Sequence, residues 1–433
     1  MQLGDNQSLA KADEWRRLIG IAPVLLWVTW RQGQDRIPDT EPPLAANKKI
    51  KTTCSRKRFS LYSACLLLCV SVRLFATRTI SMRQAETAQD FMSQYCCACI
   101  RLGISLVVNH HLSEHFSKMI KRFGPLYGWW LFGFERFNGM LEKVNINGKD
   151  KGRSELTLLR NWVQTHLIYE LLISLPPDAH ILERQLVEEI IETEGRERGG
   201  MMTQIAMFRS EADTDSVKLP KRFARNPQDI NGQDPSGRLY RALLVYLQNL
   251  WPDLDLIPEL SMQPGHPFVS KNSAHFLPYI RKDGLRYGSH TSPRTQADSF
   301  ALVLDNGVRV PVRIEYLILV RLQGSNKPPH VCIAVRRLVT DNSIPPMPWD
   351  RYADILGINV SYAGKLDPLA IISASSIEAP VALIPVFSNV IQQELWITIS
   401  FDHVRTHQQE IHEAEASLQD TSEPEVFGDN DDW

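Results

Sequence analysis

The feature that most constrains this 433-residue chain is a change of hydrophobic period near Phe276. Before it, apolar residues recur every three or four positions, as on helices buried along one face. After it they come in short runs rich in Val and Ile, separated by turn residues. The sharpest point is Asn306–Gly307, which sits between Ser299–Asp305 (SFALVLD) and Val308–Leu322. Asn-Gly between two apolar runs is a strong short-range hairpin signal, because both residues tolerate the positive φ that a two-residue turn requires. His330–Val339, Val381–Phe387 and Leu395–Phe401 read as further strands. The expectation is an α+β protein: a mainly helical N-terminal domain, then a small β-rich, partly open barrel-like module.

Helical spacing places the remaining elements. Leu9–Trp30 reads as one or two helices, with Trp15, Leu18, Ile19 and Ala22 as the apolar stripe and Pro23 as a break. Residues 31–58 are polar, Pro-rich and basic, which predicts a loop. Phe59–Met92 returns to helix. Its apolar run, Phe59–Val72, falls short of the roughly 20 residues a bilayer span needs, so a buried helix is expected and no membrane partner. Glu155–Leu175 presents Leu156, Leu159, Val163, Leu167 and Leu171 at helical spacing, which predicts a buried stripe, and Ala179–Glu194 reads as another helix. Gly237–Leu250 reads as a helix stopped by Trp251–Pro252. The organisation expected is a helical domain over 1–200, a linker over 201–235, a β-rich module over 236–405 and a disordered acidic tail over 406–433.

Charge is distributed unevenly. Residues 1–160 hold 24 Lys/Arg and 13 Asp/Glu, a difference of +11, although the whole chain sums to −1. A basic first half suits a polyanionic partner, and the last 28 residues, with nine acids and no Lys or Arg, suit a solvated tail. Lys48, Lys49, Lys51, Arg56, Lys57 and Arg58 form two basic clusters that fit a nuclear-import signal. Seven cysteines are an odd set for a disulfide framework, so reduced thiols in a nuclear or cytoplasmic protein are expected. Cys96, Cys97, Cys99, His110, His111 and His115 invite a zinc reading. His111 and His115 have ligand spacing, but Cys97 and Cys99 are only two apart. Packed thiols and hydrogen-bonded imidazoles are favoured, and no metal ligand is assigned.

The stretch Met119–Lys143 (MIKRFGPLYGWWLFGFERFNGMLEK) carries seven aromatics within fifteen positions, from Phe123 to Phe137. Aromatics at this density usually build a core, whereas beside Lys and Arg they also stack on bases. The candidate DNA contacts are Lys121, Arg122, Arg136 and Lys143, with Lys149, Lys151 and Arg153 in the polar loop that follows.

Asn109-His110-His111-Leu112, followed by Phe123–Asn145 (FGPLYGWWLFGFERFNGMLEKVN), resembles the C-terminal part of CACTA (En/Spm-type) DNA transposases. Ala12–Leu18 (ADEWRRL), Lys282–Ser289 (KDGLRYGS) and Asn306–Leu322 are similar to flanking segments of the same proteins, so the likeness covers most of 10–400 in order. Residues 31–108 depart from the pattern. The resemblance implies DNA transposition by an RNase H-like core in which acids from separate elements hold two Mg²⁺ ions for in-line phosphoryl transfer. It makes Glu135 the candidate for the last of those acids, with Arg136 beside it; an internal Glu135–Arg136 ion pair is the structural alternative. The acids before Glu135 lie in helices and loops rather than apolar strands, so the metal site is not assembled by this chain alone. The implied reading is a catalytically incomplete transposase-derived protein, holding no cofactor by itself and no Mg²⁺ unless a full-length transposase completes the site. DNA, such a transposase or another protein are the partners implied. The other reading is a protein-interaction or chromatin-associated module acting through the β-rich part, or a truncated product without activity.

Overall fold

The computed structural model describes residues 12–43, 54–77, 79–129, 217–220, 227–261, 263, 266–272, 274–282, 285–305, 307–325 and 327–401, together with isolated positions between 156 and 186. The architecture is α+β, with helices in the N-terminal part and a sheet-rich C-terminal part. The helices whose bounds are described are, in chain order, α1 (Ala12–Trp30), α2 (Arg58–Phe75), α3 (Met82–Arg101), α4 (Val108–Ser113), α5 (Phe116–Phe123), α6 (Ile230–Gln233), α7 (Arg238–Leu250) and α8 (Ala353–Leu356). The strands are β1 (Ile257–Pro258), β2 (Phe268–Val269), β3 (Ala274–Leu277), β4 (Tyr279–Lys282), β5 (Leu285–Gly288), β6 (Phe300–Asp305), β7 (Val308–Val320), β8 (His330–Arg337), β9 (Ile358–Tyr362), β10 (Ala370–Ser373), β11 (Ile377–Ser388) and β12 (Gln393–Ser400). The chain divides into two compact units, neither continuous in sequence. One takes Met1–Glu14, Trp130–Asp341 and Ser361–Ile384; the other takes Trp15–Trp129, Asn342–Val360 and Pro385–Trp433.

In the first unit the thirteen-residue β7 is the spine of an antiparallel sheet ordered β10-β8-β7-β6-β11. The hairpin expected at Asn306–Gly307 is there: Asp305 pairs with Val308, and the ladder runs to Phe300 opposite Arg313. β3 then takes over the same edge of β7, with Leu277 opposite Leu317 and Ala274 opposite Val320. Between these two partners, at Ile314–Tyr316, β7 is bulged against β8. The period of two sends alternate residues to opposite faces. Ile318, Val320, Cys332 and Ala334 pack with Leu239, Leu243 and Leu247 of α7, all three fully buried. Leu317 and Ile333 join Ile280 and Tyr287 of the β4–β5 hairpin. Helix α7 starts where the sequence predicts it. Gly237 sits at its N-cap with φ +67, and the Asp234 carboxylate accepts the Leu239 N–H at 2.8 Å. The helix ends before Trp251–Pro252.

In the second unit α1 runs unbroken through Pro23, against the expected break. Proline removes one helical hydrogen bond at a cost of about 3 kcal/mol, but the residues just beyond it are held by packing. Val24 and Trp27 are fully buried, and Trp27 meets Trp349 edge to face with centroids 5.3 Å apart. The predicted stripe is correspondingly shifted, for Trp15 is 43% exposed. The helix expected over Phe59–Met92 is two helices. Ser81 starts α3 with a capping box, its hydroxyl accepting from Gln84 N and the Gln84 side chain accepting from Ser81 N. Helix α2 has the length and composition to cross a membrane, yet Tyr62, Leu66, Cys69, Val70 and Leu74 on it are buried. It packs against α3.

One expectation reverses outright. Leu156, Leu159, Val163 and Leu167 are helical, but 46, 56, 39 and 58% exposed. Helical spacing defines an apolar face; it does not supply the surface that would cover it. Leu171 lies outside the described residues, as does the tail from 402.

Candidate nucleic-acid interface

Helix α5 carries the part of the predicted DNA contacts that is described. Phe116 and Ile120, one turn apart, face inward. Ile120 is 4% exposed, and Phe116 meets Phe75 edge to face at 5.4 Å. Gly124 ends the helix at φ +79, its N–H donating to the Ile120 carbonyl at 2.8 Å, and Pro125 prevents continuation. Inward apolar anchors at i and i+4 turn positions 118, 121 and 122 outward. Lys118, Lys121 and Arg122 are all exposed, at i, i+3 and i+4 on one face. Among the described residues no carboxylate lies within ion-pair distance of them; the second unit's ion pairs are Arg31–Asp35 and Lys57–Asp39. Lys121 and Arg122 also complement the helix dipole, worth about 0.3–1 kcal/mol. Phe123 closes the face, 60% exposed, with the Arg122 guanidinium 5.2 Å from its ring centroid and Trp129 edge-on at 6.3 Å. Phe123 therefore does not contribute to the core expected of this aromatic stretch. Trp129 is half-buried, its indole N–H donating to the Gly124 carbonyl at 3.0 Å.

Lys118 was missed by sequence reasoning, although its spacing from Lys121 and Arg122 was the signal. Arg136, Lys143, Lys149, Lys151 and Arg153, and the candidate acid Glu135, lie outside the described residues.

The Cys/His segment forms an open hollow of about 560 Å³ between α3 and α4, with Cys96, Cys97, His110, His111 and Glu114 on its wall. Glu114 and His110 have local partners. Glu114 accepts from Ser93 Oγ at 2.5 Å and Gln89 Nε2 at 3.2 Å. His110 Nδ1 accepts the Val107 N–H at 3.0 Å, and its ring stacks on Tyr95. Burial, then the Glu114 carboxylate, pushes the Cys96 thiol up to about 11. Among the described residues no group of three or more His, Cys, Asp or Glu side chains is placed to hold a metal ion.

Of the described acids that precede Glu135, Asp35, Asp39, Glu41 and Glu114 have structural occupations. Asp35 is 8% exposed at φ +59. Its carboxylate accepts from Arg31 Nη1 at 2.9 Å, Ser388 Oγ at 2.7 Å, Asn389 N at 3.0 Å and Asn389 Nδ2 at 3.1 Å. Asp39 accepts from Ser60 N and Oγ, and Glu41 from Arg56 N. The same contacts tie half of the predicted import signal down, since Arg56 Nη2 donates to the Pro42 carbonyl and Lys57 lies 4.0 Å from Asp39. Glu86 and Asp90 are exposed on α3.

The Lys282–Ser289 motif lies in the first unit and serves the sheet. Loop 289–299 fills the gap that β6 and β3 leave along β7. Ile314 N donates to the Ser299 carbonyl, His290 N donates to the Ile314 carbonyl, and Ser289 Oγ donates to the Glu315 carbonyl at 2.5 Å. Gly288 has no room for a side chain, for a Cβ there would stand 2.2 Å from the Thr295 carbonyl oxygen. Four arginines of this unit are held by acids: Arg286 by Asp298, Arg309 by Glu378, Arg313 by Glu315, and Arg337 by Asp305.

No family model, curated protein or solved structure matches this chain.

Proposed function

We propose that this chain is a transposase-derived protein, built on the plan of the C-terminal half of a CACTA-type DNA transposase, that contacts DNA through the cationic face of α5. The observation that carries the reading is the trio Lys118, Lys121 and Arg122, exposed on one face without acidic partners among the described residues. A lysine and arginine strip of this kind exchanges condensed counterions for phosphate contacts, and the adjoining Phe123 offers a ring to the edge of the track. In this reading the metal centre is completed by other acids, and among the described residues Asp35, Asp39, Glu41 and Glu114 are engaged in local hydrogen bonds. Mg²⁺ chemistry at Glu135 requires acids from a partner transposase, and a nuclear location follows from the DNA partner.

Binding of the full chain to a labelled duplex across a salt series tests this. The affinity should fall steeply as salt rises; a weak, salt-independent signal would remove DNA from the reading.

One observation favours a second reading, a β-rich module that captures a protein. Four of its arginines are neutralised internally, while Val308 is 62% and Leu285 45% exposed. Placing Lys at both positions should abolish partner capture and leave DNA affinity unchanged. The opposite pattern would reject the module's role.

A further inference from the structure

The most concentrated chemistry that the proposed function leaves unused is on α2. Cys65 and Cys69, one turn apart, bring their sulfurs to 3.9 Å, Cys69 being 2% exposed and Cys65 half-buried. One turn earlier on the same face stands Tyr62, 1% exposed, whose hydroxyl has no hydrogen-bond partner among the described residues. Spacing of i, i+3 and i+7 aligns the three side chains along a single stripe. Burial, then the neighbouring Cys69, Cys65 and Asp350, raises the pKa of the Tyr62 hydroxyl. A buried hydroxyl without a partner is destabilising. The stripe therefore combines two soft donors with an unspent O–H donor, among apolar neighbours such as Leu66 and Val70.

We propose that Cys65 and Cys69 form a two-coordinate site for a thiophilic monovalent cation of the copper(I) class, with the Tyr62 hydroxyl donating to a bound sulfur. Thiolates select soft ions of this class over the harder divalent cations. Two donors suffice for a monovalent soft ion, whereas structural zinc takes four, and no third His, Cys, Asp or Glu among the described residues joins the pair. The balance is simple. Two S–H bonds break, two metal–sulfur bonds form, and two protons leave to solvent, so nothing is oxidised. The bound complex carries one negative charge, which the Tyr62 O–H offsets by a charge-assisted hydrogen bond. A linear S–metal–S unit holds its two sulfurs twice a metal–thiolate bond apart, somewhat wider than the gap between the free thiols. Small side-chain rotations open the observed 3.9 Å to that span.

The test is anaerobic titration of the full, reduced chain with Cu(I) against a competing Cu(I) chelator, followed by X-ray absorption of the loaded protein. The wild-type chain and a Cys54→Ser/Cys97→Ser control should each retain one equivalent with two sulfur neighbours. Cys65→Ala, at the half-buried position where folding is least disturbed, should lose that equivalent with an unchanged circular dichroism spectrum. Tyr62→Phe should weaken retention about tenfold, the equivalent of one hydrogen bond to a charged group. Retention by Cys65→Ala, nitrogen in the coordination shell, or failure of the wild-type chain to hold copper against the chelator would overturn the site.

Discussion

Two sets of cations, one in each unit, are used in opposite ways. In the sheet unit, Arg286, Arg309, Arg313 and Arg337 each lie against an acid supplied by a neighbouring strand or turn. In the helical unit, Lys118, Lys121 and Arg122 line one side of α5 with no carboxylate in reach among the described residues. The difference separates charge that helps fix a fold from charge left for a partner. A surface whose positive groups are already matched has little to offer a polyanion. One whose positive groups are unmatched gains by meeting it. The helical unit also has matched charges, the buried Asp35 with Arg31 and the exposed Asp39 with Lys57, so the contrast is between positions rather than between chain halves.

That internal contrast gives the largest expected effect. Asp35→Ala removes the acceptor from Arg31, Ser388 and Asn389 at once, leaving a partly buried guanidinium without its counter-charge. The loss should be about 3–5 kcal/mol, read as a lower denaturant midpoint. DNA affinity per folded molecule should stay unchanged. A loss below about 1 kcal/mol would mean that Asp35 is not a folding charge.

Gly288→Ala probes the sheet unit. With the Thr295 carbonyl in the way of a Cβ, the loop that completes β7 has to move, at a cost on the order of 3 kcal/mol. A denaturant series on the full chain should register it, and an unshifted midpoint would contradict the described loop.

Acid separates the two regions more mildly. Burial, followed by the Arg313 charge, lowers the His290 imidazole below its ordinary value, and burial lowers His330. A depressed folded value means that the unfolded chain takes up protons first. The stability these two residues confer is thus present above the unfolded value of about 6.5 and is lost as pH falls from there through their folded values. Thermal melts of the full chain between pH 7.5 and 5 should show a falling transition that His290→Gln/His330→Gln flattens. An identical pH profile in that double variant would assign the acid sensitivity elsewhere.

The smallest stability effect belongs to Arg309→Gln. Its pair with Glu378 is only partly covered, so about 1 kcal/mol or less is expected. The informative part is what should not change, namely affinity for duplex DNA. A drop there would erase the distinction between the two sets of cations.

Several of these features could be read from the chain. Asn306–Gly307 gave the hairpin because the turn chemistry is local, and Gly237 with Trp251–Pro252 bounded α7 for the same reason. Gly124–Pro125 likewise marks the end of α5. Lys121 and Arg122 were legible as candidate contacts from their place beside the aromatic stretch, and the structure adds that Phe116 and Ile120, packed inward, turn them outward. What escaped depends on partners distant in sequence. Pro23 reads as a break until Trp349 is seen against Trp27. Asp35 reads as a loop acid until Ser388 and Asn389, more than 350 positions away, are seen around it. The bulge at Ile314–Tyr316 carries no local turn residue that would announce it, and the exposed Leu156–Leu167 face follows the right period with the wrong burial.

The central claim is that the unmatched cations of α5 meet DNA. It is tested most directly by the salt dependence of duplex binding in wild-type protein and in the Lys118→Ala/Lys121→Ala/Arg122→Ala variant. Each phosphate contact contributes about 0.9 to the slope of log affinity against log salt. If all three side chains contact phosphates, the variant's slope should be shallower by about 2.7, with its melting transition nearly unchanged. Parallel lines for the two proteins would place the DNA contacts elsewhere and contradict the account.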